Sequence, residues 1–436
     1  MTAQDEAFSA TTADGSVDPE RPPLTESLGG PGGLILLLGT LAVMLYAFLA
    51  KVVDGRVEST DSVGRTVVYE GGGNSAGLVA ALCLFLAACV ALSQILSWRF
   101  PRARIGSAFG WSALFLVGWW GLVTLVRGDG AATLLSGPII GAVLLVGVIT
   151  TPPTLALMSA LNWVRDAMVV GSILFSLLSP QYGQAECRAD KCGLFGSMWT
   201  GLFPNENAAS AQLLLLAPAL VVASRTRLLI SASLLTVLIL GAGSRTSLAA
   251  WFLGLVVILY LRRRIGVDGE ANAPLALRAV PLASLGLSGL IFWQAHDDDL
   301  SGRGHIYDFI KDKLAYASDL VLGPGPDAME GVLGGFVVTE HGQVPYLLVN
   351  QGLPGLVIFT CALACLLLPL RGTAAAVAVV AVVIASARFA TEVGMPLNPR
   401  TMEFVVLLWA VGLIAHSART RGRDTYPSET TSNASS

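Results

Sequence analysis

The chain has 436 residues, of which 54% are hydrophobic and only 13% are charged, and its formal net charge is −3. Soluble domains carry about 25% charged residues, so this composition excludes an ordinary water-soluble protein and indicates one integral membrane domain. No stretch resembles a nucleic-acid-binding patch, so we expect no nucleic-acid partner.

Both chain ends are predicted to be polar cytoplasmic tails. Residues 1–32 are rich in Ser, Thr, Pro and acidic residues and have no basic n-region, which argues against a cleavable signal peptide and predicts a disordered tail. Residues 418–436 form a second predicted cytoplasmic tail. The transmembrane domain is therefore predicted to occupy residues 33–417.

Twelve apolar stretches lie between these tails. A membrane-spanning helix needs about 20 apolar residues, so the stretches predict an all-α polytopic membrane protein with about 12 transmembrane helices. The segment 151–164 is ambiguous. The twelve stretches are 33–50, 77–97, 107–126, 132–150, 164–180, 207–223, 228–243, 246–261, 275–295, 346–370, 373–390 and 402–417.

Basic residues give the predicted orientation. Five groups of Arg residues each follow an even-numbered stretch, and the positive-inside rule places them in the cytoplasm together with both termini. The chain is thus predicted to be a multi-pass protein with an even number of spans. The clusters are Arg99, Arg102 and Arg104; Arg225 and Arg227; Arg262, Arg263 and Arg264; Arg371; and Arg419, Arg421 and Arg423.

Four polar segments then fall on the outer face: the loop with Cys187 and Cys192, the turn 243–246, the long loop 296–345 and the loop around Arg400. An oxidising exterior would suit a disulfide between the two cysteines, and two free thiols are the alternative.

Arg245 lies in a turn that is too short to leave the membrane surface. A cation there needs an anion, water or the protein interior, so it is either a phosphate ligand or an arginine that reaches lipid headgroups.

Arg303 stands at the predicted start of an amphipathic helix, 303–316, lying along the membrane surface. A helix start favours phosphate, and a guanidinium matches phosphate oxygens, although the loop around it is mostly acidic. The residues that predict this helix are Ile306, Phe309, Ile310 and Leu314.

His341 precedes the stretch 346–370 and is the candidate for proton transfer, because an imidazole titrates near neutral pH. Glu340 is its neighbour in sequence. A lone histidine is more often structural than catalytic, and both interpretations stay open at this stage.

Two further patterns each have a functional and a non-functional explanation. The run 297–299 contains an Asp-x-Asp pair that could hold a divalent cation, but three acidic residues in an exterior loop are more often simply solvated. Asn205 and Asn207, after Pro204, could contact a substrate or cap a helix.

Taken in order, these segments resemble the O-antigen ligase and polymerase superfamily of bacterial envelope glycosyltransferases, over roughly residues 200–370. One departure is Gly342, which stands where the family usually has Asn. The matching blocks are Phe203-Pro204-Asn205; Gly243-Ser244-Arg245-Thr246; Ser301-Gly302-Arg303 with Ile306-Tyr307 and Leu322-Gly323-Pro324-Gly325; and His341 with Tyr346-Leu347, Gly352 and Gly355.

The resemblance implies a fold and an activity. The fold would be that of C-type glycosyltransferases, with short amphipathic helices in the loop 296–345. The enzyme would move a glycan from a polyprenyl-diphosphate carrier to a glycan, lipid or protein acceptor on the outer face of the bacterial plasma membrane. It would use no cofactor, no metal and no nucleotide sugar, and its other partners would be membrane lipids.

The resemblance also implies roles for particular residues. Arg245 and Arg303 would stabilise the diphosphate leaving group, and His341 would accept a proton from the acceptor hydroxyl or hold phosphate. The expected substrate-binding residues are Asn205, Glu340, Tyr307 and Arg400.

Two other classes of protein compete with this interpretation. A transporter or flippase for a lipid-linked or anionic substrate would place polar groups near the bilayer midplane, often in broken helices. A structural or assembly protein would tolerate replacement of Arg245, Arg303 and His341. The candidate residues gather at one face, which favours an interfacial enzyme.

Overall fold

The computed structural model describes residues 28–54, 57–60, 66–69, 74–97, 108–187, 191–269, 271–295, 299–325, 342–390 and 392–424. A helix lies over each of the twelve predicted stretches. Among the described residues, eight helices are long and apolar enough to cross a membrane. The protein is therefore a mostly helical polytopic membrane protein, and the count of twelve spans stays a prediction.

Fourteen helices of the described chain organise the fold. In chain order the helices are α1 (Gly30–Val52), α2 (Ser75–Ser97), α3 (Ala108–Arg127), α4 (Ile140–Thr150), α5 (Ala156–Leu178), α6 (Glu206–Leu215), α7 (Arg225–Ala242), α8 (Arg245–Asp268), α9 (Leu275–Gln294), α10 (Asp299–Lys313), α11 (Ala317–Leu322), α12 (Gln343–Ala364), α13 (Thr373–Ser386) and α14 (Met402–Asp424). The eight candidate spans are α1, α2, α3, α5, α7, α9, α12 and α14.

Short segments complete these elements. A turn of helix, Ala131–Leu134, and a π-turn, Leu135–Ile139, lead into α4. A 3₁₀ turn, Ala217–Val222, extends α6, and another, Cys365–Leu367, extends α12. A short helical turn, Pro180–Gly183, follows α5.

Two small antiparallel hairpins depart from the all-α prediction. Val57–Thr60 pairs with Thr66–Tyr69, with Val57 opposite Tyr69. Gln184–Ala185 pairs with Met198–Trp199. Both lie between helices and leave the helical architecture unchanged.

Two predicted boundaries move. The ambiguous segment 151–164 belongs mostly to α5, which begins at Ala156 after Pro152 and Pro153 end the preceding helix. Helix α14 continues to Asp424, past the predicted end of the transmembrane domain at residue 417, and the cytoplasmic location of residues 418–436 stays a prediction. Arg419 helps to anchor this extension, donating hydrogen bonds to the carbonyls of Ile149 (3.0 Å) and Thr150 (2.7 Å).

The centre of the bundle is α13, in which every residue from Ala374 to Ser386 is buried. This helix contains almost only alanine and valine and has no polar stripe, as expected for a helix surrounded by protein on all sides. Its packing partners include α8, α9 and α14. Small side chains let these neighbours approach closely, which is the main source of helix association in lipid.

Arginines join the helices at one end of the bundle. Arg262 donates to the carbonyls of Leu220 and Val221, each at 3.1 Å, at the end of the turn that extends α6. Arg278 donates to Leu367 at 2.9 Å, after α12. Cations are favourable at these C-terminal ends because the last carbonyls of a helix lack partners.

These contacts join the ends of even-numbered predicted stretches to one another and, through Arg278, to the start of the odd-numbered stretch 275–295, which the predicted alternation places on the same side. We call this the inner end of the bundle and the opposite one the outer end. The contacts agree with the alternation that the positive-inside rule predicted; which membrane face each end occupies stays a prediction.

Helix α12 is broken at Gly352, whose backbone (φ 65°, ψ −172°) is not helical, and Pro354 follows two residues later. The carbonyls before the break cannot all find partners within the helix. Arg127, at the end of α3, donates to Asn350 at 2.6 Å, and the indole of Trp119 donates to Gln351 at 2.9 Å. The amide of Gly325 donates to Val349 at 2.9 Å.

The break therefore joins α3, α12 and the turn after α11. A Cβ on Gly352 would lie 2.2 Å from the carbonyl oxygen of Val321, which shows how closely α11 approaches.

The loop helix α10 begins earlier than predicted. It starts at Asp299, so Arg303 lies one turn inside it and the unpaired N–H groups belong to the residues before Arg303. Its apolar side packs on the protein: Tyr307 is 1% exposed and Ile310 is 0% exposed. Contacts with α9 and α12 bury that side.

We predict that Gly352→Ala destabilises the protein by at least about 2 kcal/mol, because this backbone region is accessible almost only to glycine and the added Cβ meets the Val321 carbonyl. The measurement is the apparent thermal unfolding midpoint in detergent. The matched control is Gly286→Ala in α9, where nothing lies within 4 Å. That control should be neutral or stabilising by roughly 0.5–1 kcal/mol. Equal midpoints for the two variants would contradict the prediction.

Candidate functional site

Arg245 is the first residue of α8 at the outer end. The chain turns from α7 into α8 through Gly243 (φ +66°) and Ser244. Ser244 makes no side-chain cap to α8; its hydroxyl lies 3.0 Å from that of Ser247. The predicted combination of a cation with the N-terminus of a helix therefore occurs at Arg245, where it favours an anion.

A disulfide loop covers this turn. The structure pairs Cys187 with Cys192, one of the two alternatives that the sequence left open. The chain after the disulfide packs against the end of α7, where Leu194 donates its amide to the carbonyl of Leu240 at 3.2 Å. A Cβ on Gly243 would lie 2.8 Å from the carbonyl oxygen of Cys192, so the contact needs glycine. The disulfide thus fixes the loop beside Arg245.

This packing brings a second cation to the turn. Lys191 and Arg245 line the same pocket, of about 270 Å³, together with Gly243, Ser244 and Leu248. Two cations and a helix N-terminus around one small volume form an arrangement suited to an anion with several oxygens, such as a phosphate.

A buried carboxylate holds Lys191 in place. The Lys191 Nζ lies 2.9 Å from a carboxylate oxygen of Glu206 and 2.7 Å from Oδ1 of Asn207. Glu206 is only 5% exposed, and a buried carboxylate needs such a partner. With Arg245, Lys191 and Glu206, the formal charge of the group is +1.

Asn205 caps α6: its Oδ1 accepts a hydrogen bond from the amide of Ala208 at 2.7 Å. This is the helix-capping alternative weighed from the sequence. The turn before it is held by Lys51 of α1, whose Nζ donates to the carbonyl of Phe203 at 2.7 Å and to Thr200 Oγ1 at 2.5 Å. The cap and the lysine together fix the start of α6, and hence Glu206.

The structure does not report on three of the predicted site positions. The side chain of Arg303 and the residues Glu340 and His341 lie outside its described part. Their convergence with Arg245 stays a prediction. Tyr307 is buried, and its ring packs edge to face on Phe292 with centroids 5.5 Å apart. Its substrate-binding role also stays a prediction.

Arg400 lies in a different place from Arg245. It borders a cavity of about 880 Å³ that shares no lining residue with the Arg245 pocket. Of the outer-end arginines predicted from the sequence, Arg245 and Arg400 thus border two separate cavities.

A metal site is not formed by the described residues, since no three His, Cys, Asp or Glu side chains among them converge. Asp297 and Asp298, from the predicted Asp-x-Asp pattern, lie outside the described residues.

Three residues that form or support the Arg245 pocket were not predicted from the sequence: Lys191, Glu206 and Lys51. Lys51 could have been found, because a cation at the end of an apolar helix needs a partner. Lys191 and Glu206 are 15 residues apart in polar segments, and no local pattern indicates that they pair.

The chain matches no protein-family model, no curated protein and no solved structure. The site therefore has to be interpreted from its own geometry.

We predict that Lys191 and Glu206 are energetically coupled. Glu206→Gln should destabilise the protein by about 2 kcal/mol, because it removes a charge-assisted contact from a mostly buried lysine. The double variant Lys191→Met, Glu206→Gln should cost at least about 1 kcal/mol less than the sum of the single variants. Chemical unfolding of the three proteins measures this difference. Strict additivity would show that the pair is not coupled.

Proposed function

We propose that this protein is a glycosyltransferase of the bacterial plasma membrane. It takes a glycan from a polyprenyl-diphosphate carrier and transfers it to an acceptor hydroxyl at the outer face. The observation that carries the proposal is the pocket at the outer end in which Lys191 and Arg245 meet at the start of α8. The resemblance of the segments around Asn205, Arg245, Arg303 and His341 to O-antigen ligases and polymerases supplies the reaction class.

The transfer reaction needs a cationic pocket for its leaving group. The bond between the anomeric carbon of the glycan and the carrier's phosphate oxygen breaks, and its electron pair stays on the diphosphate. Lys191, Arg245 and the N–H groups at the start of α8 are placed to stabilise that growing charge. The anomeric carbon bonds to the acceptor oxygen, and the acceptor proton passes to His341 in this proposal.

The electrostatics of the pocket favour binding of a leaving group over binding of a metal. Glu206 already pairs with Lys191, so its charge is neutralised within the protein. The guanidinium of Arg245 has a planar set of donors that fits phosphate oxygens.

A transporter is the second candidate, and the broken helix α12 is the observation in its favour. Discontinuous helices in transporters present free carbonyls to a substrate or ion. In this protein the carbonyls of Val349, Asn350 and Gln351 instead accept hydrogen bonds from Gly325, Arg127 and Trp119. These carbonyls are therefore hydrogen-bonded within the protein and are not available to a substrate or ion, which makes the transferase the better-supported candidate.

Arg245→Ala should lower the rate of glycan transfer by about 10²-fold or more, in line with loss of one donor to a developing anion. Arg245→Lys should lower the rate of glycan transfer less, because lysine keeps the positive charge but lacks the planar pair of donors of the guanidinium. The assay uses purified protein with a labelled polyprenyl-diphosphate glycan and measures both carrier release and transfer to acceptor.

The matched control is Arg263→Ala, an exposed arginine at the inner end of the same helix, which should transfer at the wild-type rate. Wild-type activity in Arg245→Ala would refute the proposed role of the pocket. Movement of intact carrier across proteoliposomes without glycan release would identify a transporter.

A further inference from the structure

A long apolar groove runs along α2 and is separate from the Arg245 pocket. It has a volume of about 880 Å³ and lies between α1, α2 and the π-turn that leads into α4. Small residues on α2, namely Gly77, Ala80, Ala81 and Ala88, line it at helical spacing. Their missing side-chain volume leaves the space, and the remaining wall is almost wholly hydrocarbon.

The polar end of the groove lies at the outer end of the bundle. Asn398, Arg400 and Thr401 form it. Asn398 orders this loop, because its Oδ1 accepts the amide of Arg400 at 3.0 Å and its carbonyl accepts the hydroxyl of Thr401 at 2.8 Å. The Arg400 guanidinium makes no hydrogen bond or ion pair to any residue in the described part of the chain. A cation thus stands at the mouth of a hydrocarbon-lined space.

The length of the groove indicates which lipid it fits. Along α2 it extends from Gly77 to Leu92, which is about 22 Å at 1.5 Å per residue. One leaflet of a bilayer core of about 30 Å is only about 15 Å deep. An ordinary phospholipid chain ends near the midplane, so the groove is longer than such a chain requires. A polyprenyl chain is long enough to fill it.

We propose that this groove binds the chain of a polyprenyl phosphate, with the phosphate on Arg400. The inference rests on the proposed function, which makes a polyprenyl carrier part of the substrate, and it adds a site for a second carrier molecule, because the diphosphate of the donor is placed in the separate Arg245 pocket. Because the chain leaves lipid and not water, the hydrophobic effect adds little, and selectivity comes from close packing and from the phosphate–guanidinium contact. The expected order of affinity is polyprenyl phosphate first, then farnesyl phosphate and phosphatidylglycerol.

The test measures binding of fluorescent polyprenyl phosphate to the full-length protein in phosphatidylcholine nanodiscs. Ala81→Trp fills the groove and should weaken binding at least 10-fold. Arg400→Gln should weaken it about 10-fold, which corresponds to roughly 1.4 kcal/mol. The matched control is Leu82→Trp, at the next residue of α2 but on its lipid-facing side, where 56% of the side chain is exposed. That control should bind like the wild type.

Ala88→Phe provides a second, smaller filling of the groove in case Ala81→Trp does not fold. Wild-type affinity in a folded groove-filling variant, or equal competition by phosphatidylglycerol, would overturn the proposal. Absence of any polyprenyl phosphate binding to the wild type would also overturn it.

Two assays separate this inference from the proposed function. Arg263→Ala should leave polyprenyl phosphate binding unchanged, because Arg263 is exposed at the inner end of α8 and does not line the groove. Groove binding without glycan transfer by the wild type would keep the site and refute the transferase. Glycan transfer by the wild type, with wild-type polyprenyl phosphate affinity in folded Ala81→Trp, would keep the transferase and refute the site.

Discussion

Backbone polar groups cannot be left unpaired in the hydrocarbon of a bilayer, and this protein meets that constraint with side chains at several helix ends and at one helix break. The broken helix α12 is the clearest case, since Arg127 and Trp119 donate to the carbonyls before Gly352. At the inner end, Arg262 and Arg419 do the same for the turn after α6 and for α4. These donors join helices that are far apart in sequence, so the irregular backbone becomes a set of fixed junctions in the fold.

The cations of the protein fall into two groups. Arginines such as Arg127 and Arg262 donate hydrogen bonds to backbone carbonyls and belong to the scaffold. Lys191, Arg245 and Arg400 instead line cavities at the outer end. The rigid scaffold matters to them, because a phosphate site stabilises charge only if its donors are already in position. The disulfide loop, the Asn205 cap and the Lys51 contacts give the Arg245 pocket that rigidity.

Local sequence features predicted the parts of this protein that depend on neighbouring residues. The apolar stretches became helices, and the capping alternative for Asn205 is what the structure has. The apolar face of α10 was predicted, but hydrophobic spacing does not say what covers such a face. In the structure α9 and α12 bury Ile306, Tyr307 and Ile310.

The sequence by itself determined that the chain is a helical membrane protein, which helix ends lie at the same end of the bundle, and that Arg245 lies in a tight turn. Hydropathy and turn chemistry are properties of contiguous residues, so they can be interpreted without a structure. Only the tertiary structure decided that Lys191 joins Arg245 and that Arg400 borders a separate groove. Both depend on packing between segments distant in the chain, and no local pattern encodes which of those segments will meet.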